Sequence, residues 1–259
     1  MPNDPYLSLI VPAYNEAATI ARTLGLMREY LERSGHTWEI IVSADGTDGT
    51  REKAREFAGS DDRIKVIGAP ERRGKGKGVR EGVMQARGRL IGFVDADYKT
   101  PIEEIEKVLP EFEHGNEVVI GSRRAAGCEI VRSQKLYRRV GSKVFAFGLR
   151  MVIGLWGIGD TQCGFKFFTR EAARRIFSLQ QIDGYMFDVE ILRLTRRLGF
   201  RLKEVGVRWQ DDGDSRLNLV AGNIRNAKEL LRIRFMKYPP EAHAQAAERA
   251  TAATPARVV

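Results

Sequence analysis

Four short apolar runs, each closed by a polar cluster, constrain the fold of this chain more than any other feature. Tyr6 to Val11 runs into Pro12-Ala13-Tyr14-Asn15-Glu16, and Trp38 to Val42 into Ser43-Ala44-Asp45-Gly46. Leu90 to Val94 runs into Asp95-Ala96-Asp97, and Val118 to Ile120 into Gly121-Ser122-Arg123-Arg124. Runs this short and this rich in Ile, Val and Phe read as buried strands, and Ile64 to Ile67 adds another. Helical patterns lie between them. Ile20, Leu24, Met27 and Leu31 share one face, further helices span about Thr50 to Phe57 and a stretch ending at Ala86, and Pro101 opens one reaching about Phe112. This alternation predicts an α/β fold, a Rossmann-like, mainly parallel sheet flanked by helices. Ligands bind such sheets beyond the carboxyl ends of the strands, where all four clusters fall.

Asp95 and Asp97 carry the sharpest chemistry. In an extended segment residues i and i+2 point the same way, so the two carboxylates repel unless a cation lies between them. Mg²⁺ or Mn²⁺ takes such carboxylates together with substrate phosphates. The pair is either a metal site for a nucleotide diphosphate or a solvated acidic turn. The basic glycine run Arg72 to Gly78 matches neither phosphate-loop fingerprint. It is either a flexible surface loop, or a loop whose glycines admit an anion while Lys75 supplies charge. Its place before the Asp95 strand favours the second.

At 259 residues the chain suffices for one large α/β domain, taken as residues 1–238, with 239–259 a disordered tail rich in Ala, Pro, Glu and Arg. A formal charge of +9 calls for an anionic partner: nucleic acid, anionic lipid or phosphorylated substrate. Cys128 and Cys163 make neither a metal spacing nor a disulfide framework and fit a reducing cytoplasm. His36, His114 and His243 stand in no catalytic context, which argues against histidine triads and zinc. The opening MPNDPY is no signal peptide, and no apolar run reaches the ~20 residues of a spanning helix.

From Ile130 to Gly159 there is no Asp or Glu, while six cations (Arg132, Lys135, Arg138, Arg139, Lys143 and Arg150) alternate with Leu, Phe, Val and Trp. Such a basic, apolar segment is either a helix lying on a membrane surface or a core helix with a solvated basic face. The absence of acids favours the membrane. Asp160 to Lys166 reads as a polar turn, Arg170–Phe177 and Phe187–Leu198 as helices, and Leu202–Trp209 as a strand. Asp211 to Arg216 reads as a solvated loop, and Leu217–Arg234 as a last amphipathic helix.

VPAYNE, a strand-end Asp-Gly, a GKG loop, DAD, GSR and DTQCGFK, in that order, resemble the family-2 glycosyltransferases that charge polyprenyl phosphates. The likeness covers about residues 6 to 235. DTQCGFKFFTREAA and Phe187-Asp188-Val189-Glu190 are most similar to the branch that glucosylates dolichyl phosphate, with the mannosylating branch next. The resemblance implies a GT-A fold, a nucleotide-sugar donor (UDP-glucose or GDP-mannose) and a polyprenyl (dolichyl or undecaprenyl) phosphate acceptor. With such an acceptor, the basic acid-free segment points to a cytoplasmic protein held peripherally on the inner face of the membrane. Carried over by motif, Pro12, Tyr14, Glu16, Asp45 and Lys75 would hold the nucleotide. Asp95 and Asp97, with Ala96 between them, would bind the metal and diphosphate. Arg123, Arg138 and Arg139 would meet the acceptor phosphate or the diphosphate. Asp160 and Gln162 would line the sugar pocket, and Ser215-Arg216 matches the family's Ser-Lys pair near the phosphates.

Two departures stand out. The family's Asp-Asp-Gly-Ser-x-Asp turn is here the shorter Ala44-Asp45-Gly46-Thr47-Asp48, and Lys99 replaces the mannosyl branch's Gln. A lysine cannot ligate a metal, so either the ion keeps fewer protein ligands or Lys99 neutralises phosphate itself.

The expected reaction is inverting hexosyl transfer, glucose before mannose. A phosphate monoester is already anionic, with a second pKa of about 6, so Asp160 is expected to position rather than to act as an obligatory base. A reading from another class is a non-catalytic protein bound to membrane or nucleic acid. Against nucleic acid, no aromatic-basic pattern for stacking bases occurs.

Overall fold

The computed structural model describes residues 4–130, 153–210 and 219–239. Arg138, Arg139, Ser215, Arg216, most of the acid-free stretch and the tail beyond Pro239 lie outside the described residues.

The strands are β1 (Leu7–Tyr14), β2 (Trp38–Asp45), β3 (Ile64–Ile67), β4 (Leu90–Val94), β5 (Val118–Ser122), β6 (Glu129–Ile130), β7 (Phe165–Thr169), β8 (Leu202–Gly206) and β9 (Arg208–Trp209). The helices are α1 (Ile20–Arg33), α2 (Thr50–Ala58), α3 (Lys75–Gln85), α4 (Leu109–Glu113), α5 (Arg170–Leu179), α6 (Phe187–Arg197) and α7 (Leu219–Phe235). Among the described residues, seven strands form one sheet in the order β3-β2-β1-β4-β7-β5-β8, and β6 pairs with β9 apart from it. All neighbours in the large sheet are parallel except those of β7, which runs antiparallel between β4 and β5. The expected mainly parallel α/β architecture is therefore present.

Side chains alternate across the pleat into two cores. Leu9, Val11, Val42, Val94, Phe165 and Phe167 face the α1 side with Leu24 and Met27. Ile10, Ile91, Phe93 and Phe168 face the side that holds Ile176, Phe187, Leu192 and Ile233. The predicted apolar face of α1, Ile20, Leu24, Met27 and Leu31, is fully buried.

Several expectations need correction. The strand expected to stop at Pro12 continues to Tyr14, because β2 offers it a parallel partner as far as Asp45. The helix from Pro101 to Phe112 is broken into a 3₁₀ turn, Ile102–Lys107, and the short α4. Pro110 has no N–H to continue the ladder, and its ring crowds the carbonyl four residues back. Leu202–Trp209 is two strands in different sheets. The polar turn from Asp160 to Lys166 ends early: Phe165 and Lys166 open β7, a central strand buried on both faces. Lys166 interrupts the apolar run and hides the strand from a reading by pattern.

Of the acid-free stretch only residues 130 and 153–159 are described. Ile153, Leu155 and Ile158 are buried in the core beside α5 and α6, and Trp156 is exposed. Among the described residues no helix is long and apolar enough to cross a membrane.

Candidate active site at the carboxyl edge of the sheet

The carboxyl ends of β1, β2, β4 and β5 share one edge, since these strands run in the same sense. Pro12, Tyr14, Glu16, Asp45, Asp95, Asp97 and Arg123 all come from that edge or the turns just beyond it.

At the β1–β2 corner the chain turns through Asn15 at φ 57°, in the left-handed region. Asp48 ties the two loops together. It accepts Ala17 N–H at 3.0 Å and the Thr50 hydroxyl at 2.6 Å, and Thr50 Oγ1 accepts Glu16 N–H at 2.8 Å. Burial opposes the Asp48 charge, but these bonds hold its carboxyl below the usual range. The shortened turn thus keeps its last carboxylate as a brace. Tyr14 is half-exposed, with Arg72 stacked over its ring at 4.5 Å. Asp45, expected to hold the nucleotide, is occupied within the chain: it accepts Arg73 N–H at 2.9 Å, Arg73 Nη2 at 3.0 Å and Ala69 N–H at 3.2 Å. Asp45 therefore fixes the 69–73 loop, and Arg73, which motif reading does not single out, stands at this corner of the candidate site.

The glycine run is not an open anion loop. Its helix begins at Lys75, and the first amides of α3 are taken by a backbone oxygen: Gly76 N–H donates to Asp183 O at 2.9 Å and Lys77 N–H to the same oxygen at 3.3 Å. Gly74 has φ 104°, and a Cβ there would lie 2.2 Å from Asp183 O. Gly74 and Gly76 serve close packing against residues 182–187, and Gly78 packs against Ser43. Lys75 does face the site, with Nζ 2.6 Å from Asp95 Oδ1 and near the rings of Phe93, Tyr185 and Phe187. Burial opposes its charge, but Asp95 and, less directly, Asp188 raise its pKa above the ordinary lysine value.

Asp95 and Asp97 stand in a turn, not in the extended segment expected. Tyr98 N–H donates to Asp95 O at 3.2 Å, and Tyr98 has φ 54°. Each carboxylate meets its own lysine: Asp97 Oδ2 lies 3.0 Å from Lys99 Nζ. Ala96 between them is buried, and its carbonyl accepts the Thr23 hydroxyl at 2.8 Å. Gly164 lies against Asp95, where a Cβ would fall 2.0 Å from Oδ2. Both carboxylates remain about one-third exposed. Two such oxygen donors two residues apart suit a hard divalent ion completed by phosphate oxygens. Among the described residues no cluster of three or more acids, histidines or cysteines supplies a fuller protein cage.

Arg123, Asp160 and Gln162 form the third part. Arg123 grips the buried Asp160 through Nε and Nη2, and Asp160 also accepts Gln162 N–H at 3.1 Å. Glu204 on β8 accepts the amides of Gly159 and Asp160, each at 2.8 Å, which sets the loop. Burial works against the Asp160 charge, yet Arg123 holds its carboxyl down at about 2. Such a carboxylate is a poor proton acceptor near neutrality, as expected for a positioning group. Arg123 also lies 5.3 Å from the Trp209 ring. The Gln162 side-chain nitrogen is buried with no partner among the described residues, as a donor kept for a ligand would be. Cys163 is buried between Asp95 and Asp160, and its thiol is pushed up to about 12, first by burial and then by Asp160. It is no nucleophile at neutral pH.

Behind these groups lie Lys166, Asp188 and Glu190, all buried. Pattern reading missed Lys166 and Asp188 as site supports. The visible signals were a lysine inside an apolar strand and the acids of Phe187-Asp188-Val189-Glu190.

Residues 8–177 match the sequence pattern of Glycosyl transferase family 2. A dolichyl-phosphate beta-glucosyltransferase of Trichomonas vaginalis is 38% identical over 246 residues, covering 90% of this chain and 72% of that protein. The Saccharomyces cerevisiae protein of the same name is 32% identical, with 89% and 74% covered. The human one is 33% identical, with 88% and 75% covered. Among solved structures, glucosyl-3-phosphoglycerate synthase from Mycobacterium tuberculosis, in complex with Mn²⁺, UDP and phosphoglyceric acid, superposes with a TM-score of 0.68 at 21% identity. It covers 90% of this chain and 80% of that one. Mannosyl-3-phosphoglycerate synthase from Rubrobacter xylanophilus gives 0.64 at 18% identity, with 98% and 77% covered. These two likenesses support the fold.

Proposed function

Because this chain belongs to glycosyl transferase family 2 and is a glycosyltransferase, we propose that it moves glucose from a nucleoside-diphosphate glucose to a polyprenyl phosphate of the dolichyl type, inverting the anomeric centre. The observation that carries this reading is the 32–38% identity to dolichyl-phosphate beta-glucosyltransferases across about nine-tenths of the chain.

In the reaction, Tyr14 and Arg72 flank the nucleotide at the β1–β2 corner, on loops braced by Asp48 and Asp45. Asp95 and Asp97 would hold a divalent ion such as Mg²⁺ or Mn²⁺, which when bound offsets charge on the departing diphosphate. Lys75 stands beside Asp95 as a fixed cation for the same phosphates. Asp160 takes no proton from the acceptor, because a phosphate monoester attacks as an anion. Its role is to hold Arg123, whose Nη1 bonds no described residue, at the mouth of the site. Gln162 offers its side-chain amide to the sugar. Arg138, Arg139, Ser215 and Arg216 are assigned to the acceptor and diphosphate by motif alone. UDP is the favoured nucleotide, since the glucosyl-transferring structural neighbour was crystallised with it. A lipid acceptor requires approach from a membrane surface, and the basic stretch 130–159 suits peripheral contact with an anionic inner leaflet.

The test is a donor panel with a short polyprenyl phosphate, with and without Mg²⁺ or Mn²⁺. Consumption of UDP-glucose with formation of a glucosylated lipid phosphate is expected. Consumption of GDP-mannose instead would overturn the glucosyl assignment.

A further inference from the structure

Lys166 and Asp188 form an ion pair closed off from solvent. Nζ lies 2.5 Å from Oδ1, and the side chains are 0% and 2% exposed. Burying two charges costs desolvation, and apolar residues of similar volume often serve stability as well or better. The pair sits between β7 and the first turn of α6, next to Phe93, whose ring centroid is 5.4 Å from Lys166 Nζ and 5.8 Å from Lys75 Nζ. Lys166 Nζ also donates to Cys163 O at 2.6 Å. That oxygen belongs to the peptide leading into Gly164. The Gly164 carbonyl in turn accepts Asp95 N–H at 3.1 Å, and the Gly164 Cα leaves room only for the Asp95 carboxylate.

We propose that Lys166 is a positioning residue for Asp95: anchored on Asp188, it fixes the Cys163–Gly164 peptide through its carbonyl, and that peptide fixes the backbone and carboxylate of Asp95. This rests on the assignment of Asp95 to the diphosphate and its metal ion. Asp188 lies within electrostatic reach of Lys75 as well, so both supports of Asp95 lead back to one buried carboxylate.

The test replaces both members together. Lys166→Met/Asp188→Leu removes the charges without leaving either one unpaired, so the variant should melt close to the parent. The Asp95 amide should exchange with solvent at least about tenfold faster, while the amides of β1 keep their protection. In titrations of uridine diphosphate, half-saturating Mn²⁺ should rise at least about fivefold, because the ligand carboxylate is no longer held in place. A folded double variant with unchanged Asp95 exchange and unchanged Mn²⁺ requirement would overturn the proposal. Amide exchange needs neither donor nor acceptor. Failure of the donor panel would therefore count against the proposed function, and unchanged exchange against the positioning. If the double variant does not fold, Lys166→Gln/Asp188→Asn, which removes both charges at nearly the same volume, takes its place, and undisturbed Asp95 exchange in that folded variant would equally overturn the proposal.

Discussion

Arg123 holds Asp160 in a two-pronged ion pair, Nε to Oδ2 at 2.6 Å and Nη2 to Oδ1 at 2.8 Å. It joins the end of β5 to the loop that enters β7, and it sets the charge state of the buried carboxylate. The folded pKa of about 2 lies below the ordinary value of 3.8. A depressed carboxyl contributes stability that is present above the unfolded pKa and is lost as pH falls through the folded one. The contribution is on the order of 2 kcal/mol at neutral pH and disappears between about pH 4 and pH 2. Asp160→Asn should therefore lower the neutral-pH stability and flatten the acid limb of the unfolding curve in that window, as followed by circular dichroism. The pH dependence of transfer around neutrality should keep its shape in whatever activity remains. Loss of the low-pH, ascending limb of the transfer profile would make Asp160 a proton acceptor after all.

Asp95→Asn and Asp97→Asn should each reduce transfer at least about a hundredfold, because each removes a charge that holds the diphosphate and its counter-ion. Their stability costs should differ. Asp95 neutralises the mostly enclosed Lys75, so its loss should cost about 1–2 kcal/mol. Asp97 pairs with Lys99 at the surface and should cost less than about 1 kcal/mol. Urea unfolding and Mn²⁺-dependent nucleotide titration of both variants check this.

Gly74→Ala should lower stability by about 2 kcal/mol or more, through the positive φ and the overlap with Asp183 O. Gly35→Ala is the control: it has a positive φ but open space around it, and should cost about 1 kcal/mol. Equal melting temperatures for the two variants would remove the packing role assigned to the glycine run.

Binding to anionic vesicles should exceed binding to neutral ones and weaken with added salt, since the acid-free stretch carries six cations and no acid, and ions screen such attraction. Co-sedimentation at two ionic strengths is the measurement. Equal binding to both vesicle types would place the lipid acceptor's approach elsewhere.

Much of the fold was legible in the order of residues. The parallel strands and the buried face of α1 follow from apolar periodicity, which depends on neighbours a few positions apart. The placing of Asp45, Asp95 and Arg123 on one sheet edge follows from the same alternation, because parallel strands put their carboxyl ends together. Strand β7 was not legible: Lys166 breaks the apolar run, and its charge is answered in the core by Asp188, twenty-two positions on, with the Cys163 carbonyl as a second acceptor. The helix that opens after Pro101 is broken in two because Pro110 cannot continue its hydrogen-bond ladder.

What the sequence by itself determined is the class of sheet, the edge where ligands gather and the residue types offered there, all set by local period and motif order. What only the tertiary structure decided is which of those residues are engaged within the chain. Asp45 is taken by Arg73, Asp160 by Arg123, and the first amides of α3 by Asp183. The reason is physical: partners for a buried charge or amide come from whichever segment the fold brings within about 3 Å, and that distance has no counterpart along the chain.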